Sequence, residues 1–462
     1  MVKKGIFLFL ISLNLGIFGY LIGLSLIQSL VIAIFFLSIL GTLFFWDFKL
    51  SFVFMGSCVL ILIRAVNLEN FIKFASLDVI LFLIAMMIIV GMMKDAGLFH
   101  LLVTVFCKMR KLNGTALFIV MMVFSAALSG LMGEVSSIIV MTTVIFDLCR
   151  ILNITPVPLV ISSVIATNIG SASTVLGNPI GIFIAARSGL SFEDFILRAL
   201  PLSIITLIVI IFVLCIWYRS YIREISSRIK ACHANQSMAS LSTTISDTKV
   251  EMSIFIFVLT VLFIALHKRL EMIFGLEENN LLIMLPVFFA GIVMLYRHER
   301  ARYYIEQEVE WNSLLFFMFL FAQAGVMQSS GVASTIAARI IENIGNHPKI
   351  LSGVILFSSG VLSSVLDNVV VVSSYVPVVQ SLHTLHVKLT PLWWALLFGA
   401  CYGGNITLIG STANIIALGL LEKEQNIKIG FYSWLKVGTV VGFLSIIISL
   451  LAIIAIPHFS WR

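Results

Sequence analysis

Two carboxylates stand inside long apolar stretches of this chain, Glu134 in SGLMGEVSS and Asp367 in SSVLDNVVVVSS. A charged side chain near the middle of a bilayer costs about 2.5 to 3.5 kcal/mol on insertion scales, so such residues usually mark an ion path or a proton relay. The alternative is an acid that pairs with a basic residue or faces a water-filled vestibule. We favour the ion path, because the two acids occupy matching positions of an internal repeat.

The repeat has a spacing of 233 residues. The matched pairs are Phe124 with Phe357, Ser125 with Ser358, Glu134 with Asp367, Gly170 with Gly403 and Gly177 with Gly410 at 233, and Gly91 with Gly325 at 234. A single inserted or deleted residue therefore separates two blocks. Duplicated halves that contain interrupted hydrophobic helices predict a secondary transporter whose binding site lies between the repeats.

Downstream of each acid, glycine and proline interrupt a helix that should span the membrane. Unwound carbonyl groups together with Asn, Ser and Thr side chains suit a hard cation, whereas the N-terminus of the following half-helix suits an anion. Close helix packing would explain the glycines but not the clustered amides. The candidate ion- or substrate-binding residues are Glu134, Ser136, Ser137, Asn168, Thr174, Gly177 and Asn178 in the first copy, and Asp367, Asn368, Asn405, Thr407, Gly410, Ser411 and Asn414 in the second.

Composition sets the class of protein. With 60% hydrophobic and 11% charged residues, the chain is predicted to be a polytopic membrane protein. Its basic residues sit in short loops, so the net charge of +7 reports topology and not a nucleic-acid partner. We expect no enzyme activity, since both acids lack the flanking GxGD signature of intramembrane aspartyl proteases. A primary pump is disfavoured because no GxxxxGK[ST] loop is present, although a partner ATPase stays open.

The charge pattern predicts the topology. Lys3, Lys4, Lys94 and the basic stretch at 220–250 are expected in the cytoplasm. The segment from about 117 to 152 must then be a re-entrant hairpin that turns near 132–135, and its copy, turning near Asp367, should open to the outside. We predict an all-α protein with about 11 transmembrane helices. Its parts are a first helix at 1–24, repeat 1 at 25–219, a cytoplasmic linker at 220–250 and an inverted repeat 2 at 251–462.

Four stretches resemble a known group of transporters: GNPIGIFIA, VEWNSLLFFMFLF, LDNVVVV and GGNITLIGSTANIIALGLLE. They resemble the arsenite permease, sodium/proton antiporter and melanocyte P-protein branch of the ion transporter superfamily, whose members have a citrate transporter-like domain. The resemblance covers about 78–438. It implies two inverted repeats, each with a re-entrant hairpin and a broken helix, an elevator-like movement, and a homodimer formed through a scaffold domain.

The chain departs from the related divalent-anion/sodium symporters at the hairpin tips, where those proteins resemble a Ser-Asn-Thr pattern. Only Ser136 and Asn368 keep the chemical type, while Glu134 and Asp367 add negative charge. Two unit charges 4 Å apart interact by about 4 kcal/mol at an effective dielectric constant near 20, so a dianion is disfavoured.

The leading hypothesis is secondary transport of a small inorganic ion, namely sodium exchanged for protons, with Glu134 and Asp367 alternately protonated and cation-bound. Permeation of arsenite or another anion is the alternative, and sodium-coupled anion or carboxylate symport ranks below it. We expect no resident cofactor or metal beyond Na⁺ or H⁺ as the coupling ion. The expected partners are the transported ion, membrane lipid and a second copy. The expected location is a bacterial inner membrane, with the N-terminus in the cytoplasm.

Overall fold

The structure is a computed structural model that describes residues 2–21, 23–45, 48–98, 113–234, 247–456 and 459. Within these ranges the chain forms helices joined by short loops. Helices α1 to α5 are Val2–Leu21, Leu26–Phe44, Lys49–Leu62, Leu68–Phe74 and Leu77–Asp95. Helices α6 to α10 are Gly114–Met132, Glu134–Leu152, Val157–Ser171, Pro179–Ser188 and Phe192–Trp217.

The second half repeats this order after an additional helix, α11, at Arg219–Ala234. Helices α12 to α16 are Asp247–Phe274, Asn280–Tyr296, His298–Glu308, Trp311–Ser329 and Val332–Ile344. Helices α17 to α21 are Pro348–Ser363, Asn368–Ser381, Thr390–Gly403, Thr412–Gln425 and Phe431–Ala455. The stretch predicted as a linker at 220–250 thus begins as a helix, and residues 235–246 within it lie outside the described residues.

The helices confirm a polytopic membrane protein. In the described ranges, eight helices are long and apolar enough to cross a bilayer, and α13 with α14 forms a further apolar pair bent by 101°. Shorter apolar segments are found in α1, in α3, in both halves of the first broken helix, α8 and α9, and in α17. The count of about 11 spans stays a prediction, because no single length criterion recognises a span that is built from two half-helices.

Helices α6 and α7 form the first hairpin. They meet at Gly133, whose φ of +89° lies in a region that favours glycine. The Ser137 hydroxyl donates to the carbonyl oxygen of Ser125 at 3.1 Å. In a straight helix, residues 12 apart would be separated by about 18 Å, so the chain must turn back between them. The turn lies within the predicted 132–135.

Both ends of this first hairpin rest on α11. The backbone N–H of Gly114, where α6 begins, donates to the Ser226 hydroxyl at 3.0 Å. The Tyr221 hydroxyl donates to the carbonyl oxygen of Thr155, just after α7, at 2.5 Å. The two ends therefore lie on the same side of the protein, as a re-entrant hairpin requires.

Helices α17 and α18 form the second hairpin, with its tip at 364–367. The Asn346 amide, before α17, donates to the carbonyl oxygen of Leu385, after α18, at 3.3 Å. This bond joins the two ends of the hairpin. The predicted pair of helical hairpins is therefore present.

Each hairpin packs into the rest of the fold in the same way. Its first arm lies along the first half of the broken helix of its own repeat, α6 on α8 and α17 on α19. Glycine makes this approach close, because a Cβ at Gly170 would collide with the backbone of Ala126, and one at Gly403 with the backbone of Gly360. The second arm packs on the other repeat, α7 on α20 and α18 on α9. The hairpins and broken helices consequently form one interlocked body.

A second pair of matched glycines holds the remaining helices together. A Cβ at Gly91 would lie 2.8 Å from Cγ of Glu308 in α14, and one at Gly325 would lie 2.5 Å from Cβ of Phe74 in α4. In each repeat, a long helix therefore packs against the short connecting helix of the other repeat, α5 against α14 and α15 against α4. Lys94 adds an ion pair to Glu308 at 3.0 Å. These contacts explain why the sequence keeps glycine at both positions.

Candidate functional site

Two breaks in helices lie at the centre of the interlocked body. The first separates α8 from α9 at 172–178, and the second separates α19 from α20 at 404–411. Asn178 caps α9 by accepting from the N–H of Gly181 at 2.7 Å, and Ser411 caps α20 by accepting from the N–H of Ala413 at 3.2 Å. An oxygen-bearing side chain therefore begins each second half-helix.

The two breaks contact each other across the repeat axis. The Ser411 hydroxyl donates to Oδ1 of Asn168 at 3.1 Å, and Nδ2 of Asn178 donates to Sγ of Cys401 at 3.1 Å. Under the 233-residue spacing these are the same contact made twice, since Ser411 corresponds to Asn178 and Cys401 to Asn168. The predicted amides thus lie at one interface between the repeats.

Asn168 is the centre of the polar cluster. It is fully buried, and its Nδ2 donates to Oδ1 of Asn405 and to Oδ1 of Asn414, both at 2.9 Å. Nδ2 of Asn414 in turn donates to the carbonyl oxygens of Gly404 and Thr407, both at 2.8 Å. These bonds hold the second break in its unwound shape.

The hairpin tips are attached to the breaks by threonines. The Thr174 hydroxyl donates to the carbonyl oxygen of Gly130, and the Thr407 hydroxyl donates to that of Ser364. The threonines are 233 residues apart, but their acceptors are 234 apart. The hairpins consequently follow the 234 spacing up to their tips.

This register changes the comparison of the acids. Helix α7 begins at Glu134, with Gly133 before it, and α18 begins at Asn368, with Asp367 before it. Glu134 therefore corresponds to Asn368, and Gly133 to Asp367. The prediction that the two acids occupy equivalent positions is wrong.

Tandem serines account for the misalignment. Ser125 falls on Ser358 at 233 and on Ser359 at 234, so the sequence fits both registers. The change from the 234 spacing to the 233 spacing therefore occurs after the hairpin, and not before it as the sequence comparison indicated. At the 234 spacing Ser129 corresponds to Ser363. We therefore count Ser129 among the residues of the site.

Glu134 is the exceptional residue of the site. It is 5% exposed and lies beside the Ser171 hydroxyl. In the part of the chain that the structure describes, its Oε2 has no hydrogen-bond partner, and neither does the buried hydroxyl of Ser129. A buried carboxylate oxygen without a partner is costly unless a proton or a cation accompanies it.

Asn368 occupies the equivalent position in the second repeat and is satisfied there. Its amide faces the carbonyl oxygens of Gly410 and Ala400 and the hydroxyl of Ser363. With Nδ2 towards these atoms, the amide donates to them at 2.9, 3.2 and 2.7 Å. One repeat thus places a hydrogen-bond donor where the other places a carboxylate.

Asp367 lies nearer the surface than Glu134 and is half-buried. Its Oδ1 accepts from the N–H of Val369 at 3.0 Å, and its Oδ2 accepts from the Thr412 hydroxyl at 2.5 Å. It borders an open cavity of about 310 Å³ between the end of α2 and the start of α20, which Thr42 and Leu43 also line. Asp367 therefore stands at the mouth of the site with both oxygens occupied.

The other predicted residues have varied places. The Ser137 hydroxyl is used inside the first hairpin, and Ser136 is half-buried beside the tip. Gly177 and Gly410 lie where backbone segments nearly touch; a Cβ at Gly410 would lie 2.7 Å from the carbonyl oxygen of Gly404. Sequence reasoning missed four residues of the site, Ser129, Ser171, Cys401 and Thr412. The first of these could have been found by aligning the hairpins at 234.

The chain belongs to the citrate transporter family, which it matches over residues 34–399 and again over 308–459. An uncharacterized transporter of Mycobacterium bovis is 29% identical over 372 residues, which cover 80% of this chain and 83% of that protein. The human P protein is 24% identical over 438 residues, covering 78% of this chain and 51% of the P protein. The chain thus spans about half of the P protein.

In fold, the chain is similar to the YdaH transporter of Alcanivorax borkumensis, whose crystal structure shows an unusual topology. The TM-score is 0.57 at 14% identity, with 85% of this chain and 87% of that chain covered. Family and fold together confirm the resemblance to the ion transporter superfamily. The protein is an integral membrane transporter of a secondary transporter family.

Proposed function

We propose that this protein exchanges a small monovalent cation, Na⁺, for protons by elevator-like alternating access, with Glu134 carrying both ions in turn. One observation carries the proposal. Oε2 of Glu134 is buried without a hydrogen-bond partner in the described structure, at a position where the other repeat needs a donor. A proton or a hard cation would supply what this oxygen lacks.

Competition for one carboxylate gives exchange. When Glu134 is protonated, its O–H replaces the missing donor and the side chain is neutral. When it binds Na⁺, its oxygen and the Ser129 hydroxyl can both coordinate the ion, and the proton must leave. Without either partner the carboxylate would carry an uncompensated charge, which is expensive to move at membrane depth. If the site changes sides only when Glu134 holds a proton or Na⁺, the proton flux and the sodium flux are coupled.

The packing supports a sliding movement. The hairpins and broken helices interlock, whereas an apolar cavity of about 270 Å³ lies among α2, α16 and the second hairpin. Phe35 of α2, Ile336 of α16 and Leu351 of α17 are among its lining residues. A seam lined by apolar side chains lets two bodies slip without breaking hydrogen bonds. We assign the hairpins, broken helices, α10 and α21 to the moving body.

The charges at the mouth disfavour an anionic substrate. Lys49, 9% exposed, lies within electrostatic reach of two acids, Asp367 and Glu310. The three charges sum to −1, and Glu134 deeper inside adds to the negative potential when it is ionised. Arsenite as a neutral acid, or a carboxylate accompanied by cations, is the alternative that the assay below tests. A free tricarboxylate would meet like charges along its path.

The remaining features of the proposal follow the charge pattern and the family resemblance. We place the protein in a bacterial inner membrane with its N-terminus in the cytoplasm, as a homodimer formed through the helices outside the moving body. It needs no resident cofactor beyond the coupling ions.

The test is proton flux in proteoliposomes with an imposed pH gradient, read with a pH-sensitive dye. Added Na⁺ should dissipate the gradient with the wild type but not with Glu134→Gln. Glu224→Gln, on the exposed face of α11, is the matched control and should behave as the wild type. Dissipation by arsenite or citrate with no response to Na⁺ or Li⁺ would overturn the proposal.

A further inference from the structure

We infer that each protomer carries one monovalent ion at a time, always at Glu134, because the amide of Asn368 permanently takes the equivalent place in the second repeat. This inference rests on the proposed function and adds the number and the charge of the ions. It predicts an electroneutral exchange of one cation for one proton.

The first step is the equivalence of the two positions. Glu134 is the first residue of α7, and Asn368 is the first residue of α18. Glu134 lies beside Ser171 at the first break. The corresponding residue at the second break is Gly404, and a Cβ built on it would lie 2.9 Å from the Asn368 amide. Glu134 and Asn368 are 234 residues apart, while Ser171 and Gly404 are 233 apart. The contacts of Thr174 and Thr407 with the hairpin tips show the same difference in spacing. The site therefore has two related halves.

The second step is the set of acceptors in the second half. Two carbonyl oxygens, of Gly410 and Ala400, and the Ser363 hydroxyl converge on one nitrogen of Asn368 within 3.2 Å. Converging oxygens of this kind would also suit a cation, but the amide nitrogen already fills the position with two N–H donors. A cation there would have to displace the side chain from a fully hydrogen-bonded place.

The third step is the first half, where the donor is missing. The repeat relates the three acceptors to the carbonyl oxygens of Thr167 and Gly177 and to the Ser129 hydroxyl. Glu134 stands where the amide should be, and an ionised carboxylate donates no hydrogen bond. Among the described residues, neither its Oε2 nor the Ser129 hydroxyl finds a partner. A proton or a cation is therefore required in this half of the site and not at Asn368 in the other half.

The last step is the charge of the moving body. One carboxylate with one monovalent cation is neutral, and so is one carboxylate with one proton. A divalent cation would leave a net positive charge in a buried site, which is strongly penalised. Asp367 moves with the second hairpin, but both its oxygens stay hydrogen-bonded and it carries the same charge in both half-cycles, so its contribution cancels. A complete cycle therefore moves no net charge.

The experiment measures Na⁺ bound per protomer at saturation, at a pH above the titration of the site, with radioactive sodium on the purified protein. We expect one ion for the wild type, none for Glu134→Gln and two for Asn368→Asp. The exchanged double variant Glu134→Gln/Asn368→Asp should bind one ion again, in the other half. Two ions bound by the wild type would overturn the inference but leave the proposed function standing, whereas no bound ion would overturn both.

A second measurement needs no variant. In proteoliposomes with the potential set by a potassium gradient and valinomycin, sodium-driven proton flux should reach the same end point at any imposed voltage. If one net charge moved per cycle, 100 mV would shift that end point about 50-fold, equivalent to about 2.3 kcal/mol. Exchange with such a shift would overturn the inference alone, and absence of any exchange would overturn the proposed function.

Discussion

Replacing Glu134 by Gln should stabilise the protein and abolish its exchange activity at the same time. The substitution puts an amide where the second repeat has that of Asn368. By analogy with Asn368, the new N–H groups can donate to backbone carbonyl oxygens around the first hairpin tip. The side chain also becomes unable to hold a proton or a cation.

Two magnitudes follow. A buried polar group without a partner costs about 1 to 3 kcal/mol, so Glu134→Gln should raise the free energy of unfolding in sodium-free buffer by about that amount. In the wild type, Na⁺ supplies the missing partner instead. A ligand at 100 times its dissociation constant stabilises by about 2.7 kcal/mol, and this sodium-dependent gain should vanish in the variant.

Thermal unfolding in detergent measures both effects. The midpoint of the wild type should rise as Na⁺ replaces choline at constant ionic strength, while that of Glu134→Gln should start higher and stay flat. Glu224→Gln on the exposed face of α11 controls for the loss of one charge and should follow the wild type. A variant that still responds to Na⁺, or that is less stable than the wild type, would refute the argument that Oε2 of Glu134 is the unsatisfied ion ligand.

Three further predictions address the rest of the site. Gly410→Ala would bring a Cβ to 2.7 Å from a carbonyl oxygen of the same break, so flux per inserted molecule should fall by more than membrane insertion; a lower folded yield with unchanged specific activity would instead indicate a packing role. Thr412→Val removes the donor of the 2.5 Å bond at the mouth and Asp367→Asn weakens its acceptor, and each should raise the sodium concentration for half-maximal flux without abolishing exchange; complete loss in Asp367→Asn would place that acid in the ion site itself. Single cysteines at Asn113 and Asn153, in a background without the native cysteines, should both react with an impermeant reagent from the cytoplasmic side, and reaction from opposite sides would contradict the hairpin topology.

Much of the architecture could be predicted from the sequence, because lipid penalises polar backbone and side chains so strongly. Glycine, asparagine and threonine within apolar stretches identified both broken helices, and the charge rule required the hairpin whose turn lies at Gly133. The Asn168 cluster was likewise predicted as a set of candidates. A polar residue that must be satisfied inside a membrane protein leaves few places where it can go.

The hydrogen-bond partners could not be predicted, since they depend on the three-dimensional register. Tandem serines allowed two alignments of the hairpins, and one residue of slip exchanged Asn368 for Asp367 as the counterpart of Glu134. The role of Gly91 was also hidden, because its neighbour Glu308 comes from the other repeat. The sequence contains both residues but not the distance between them.

The difference between the two halves explains how an inverted repeat can carry a single ion. Glu134 and Asn368 both begin a helix with a planar polar side chain beside a break, so the halves can pack alike although their chemistry differs. In the second half the amide supplies its own donors and the hairpin tip stays closed on the break through Asp367 and Thr412. In the first half the donor must come from solution. If the two residues are interchangeable in this sense, exchanging them should move the ion to the other half and preserve a stoichiometry of one, whereas a structural role for Glu134 alone would leave the exchanged variant unable to bind Na⁺.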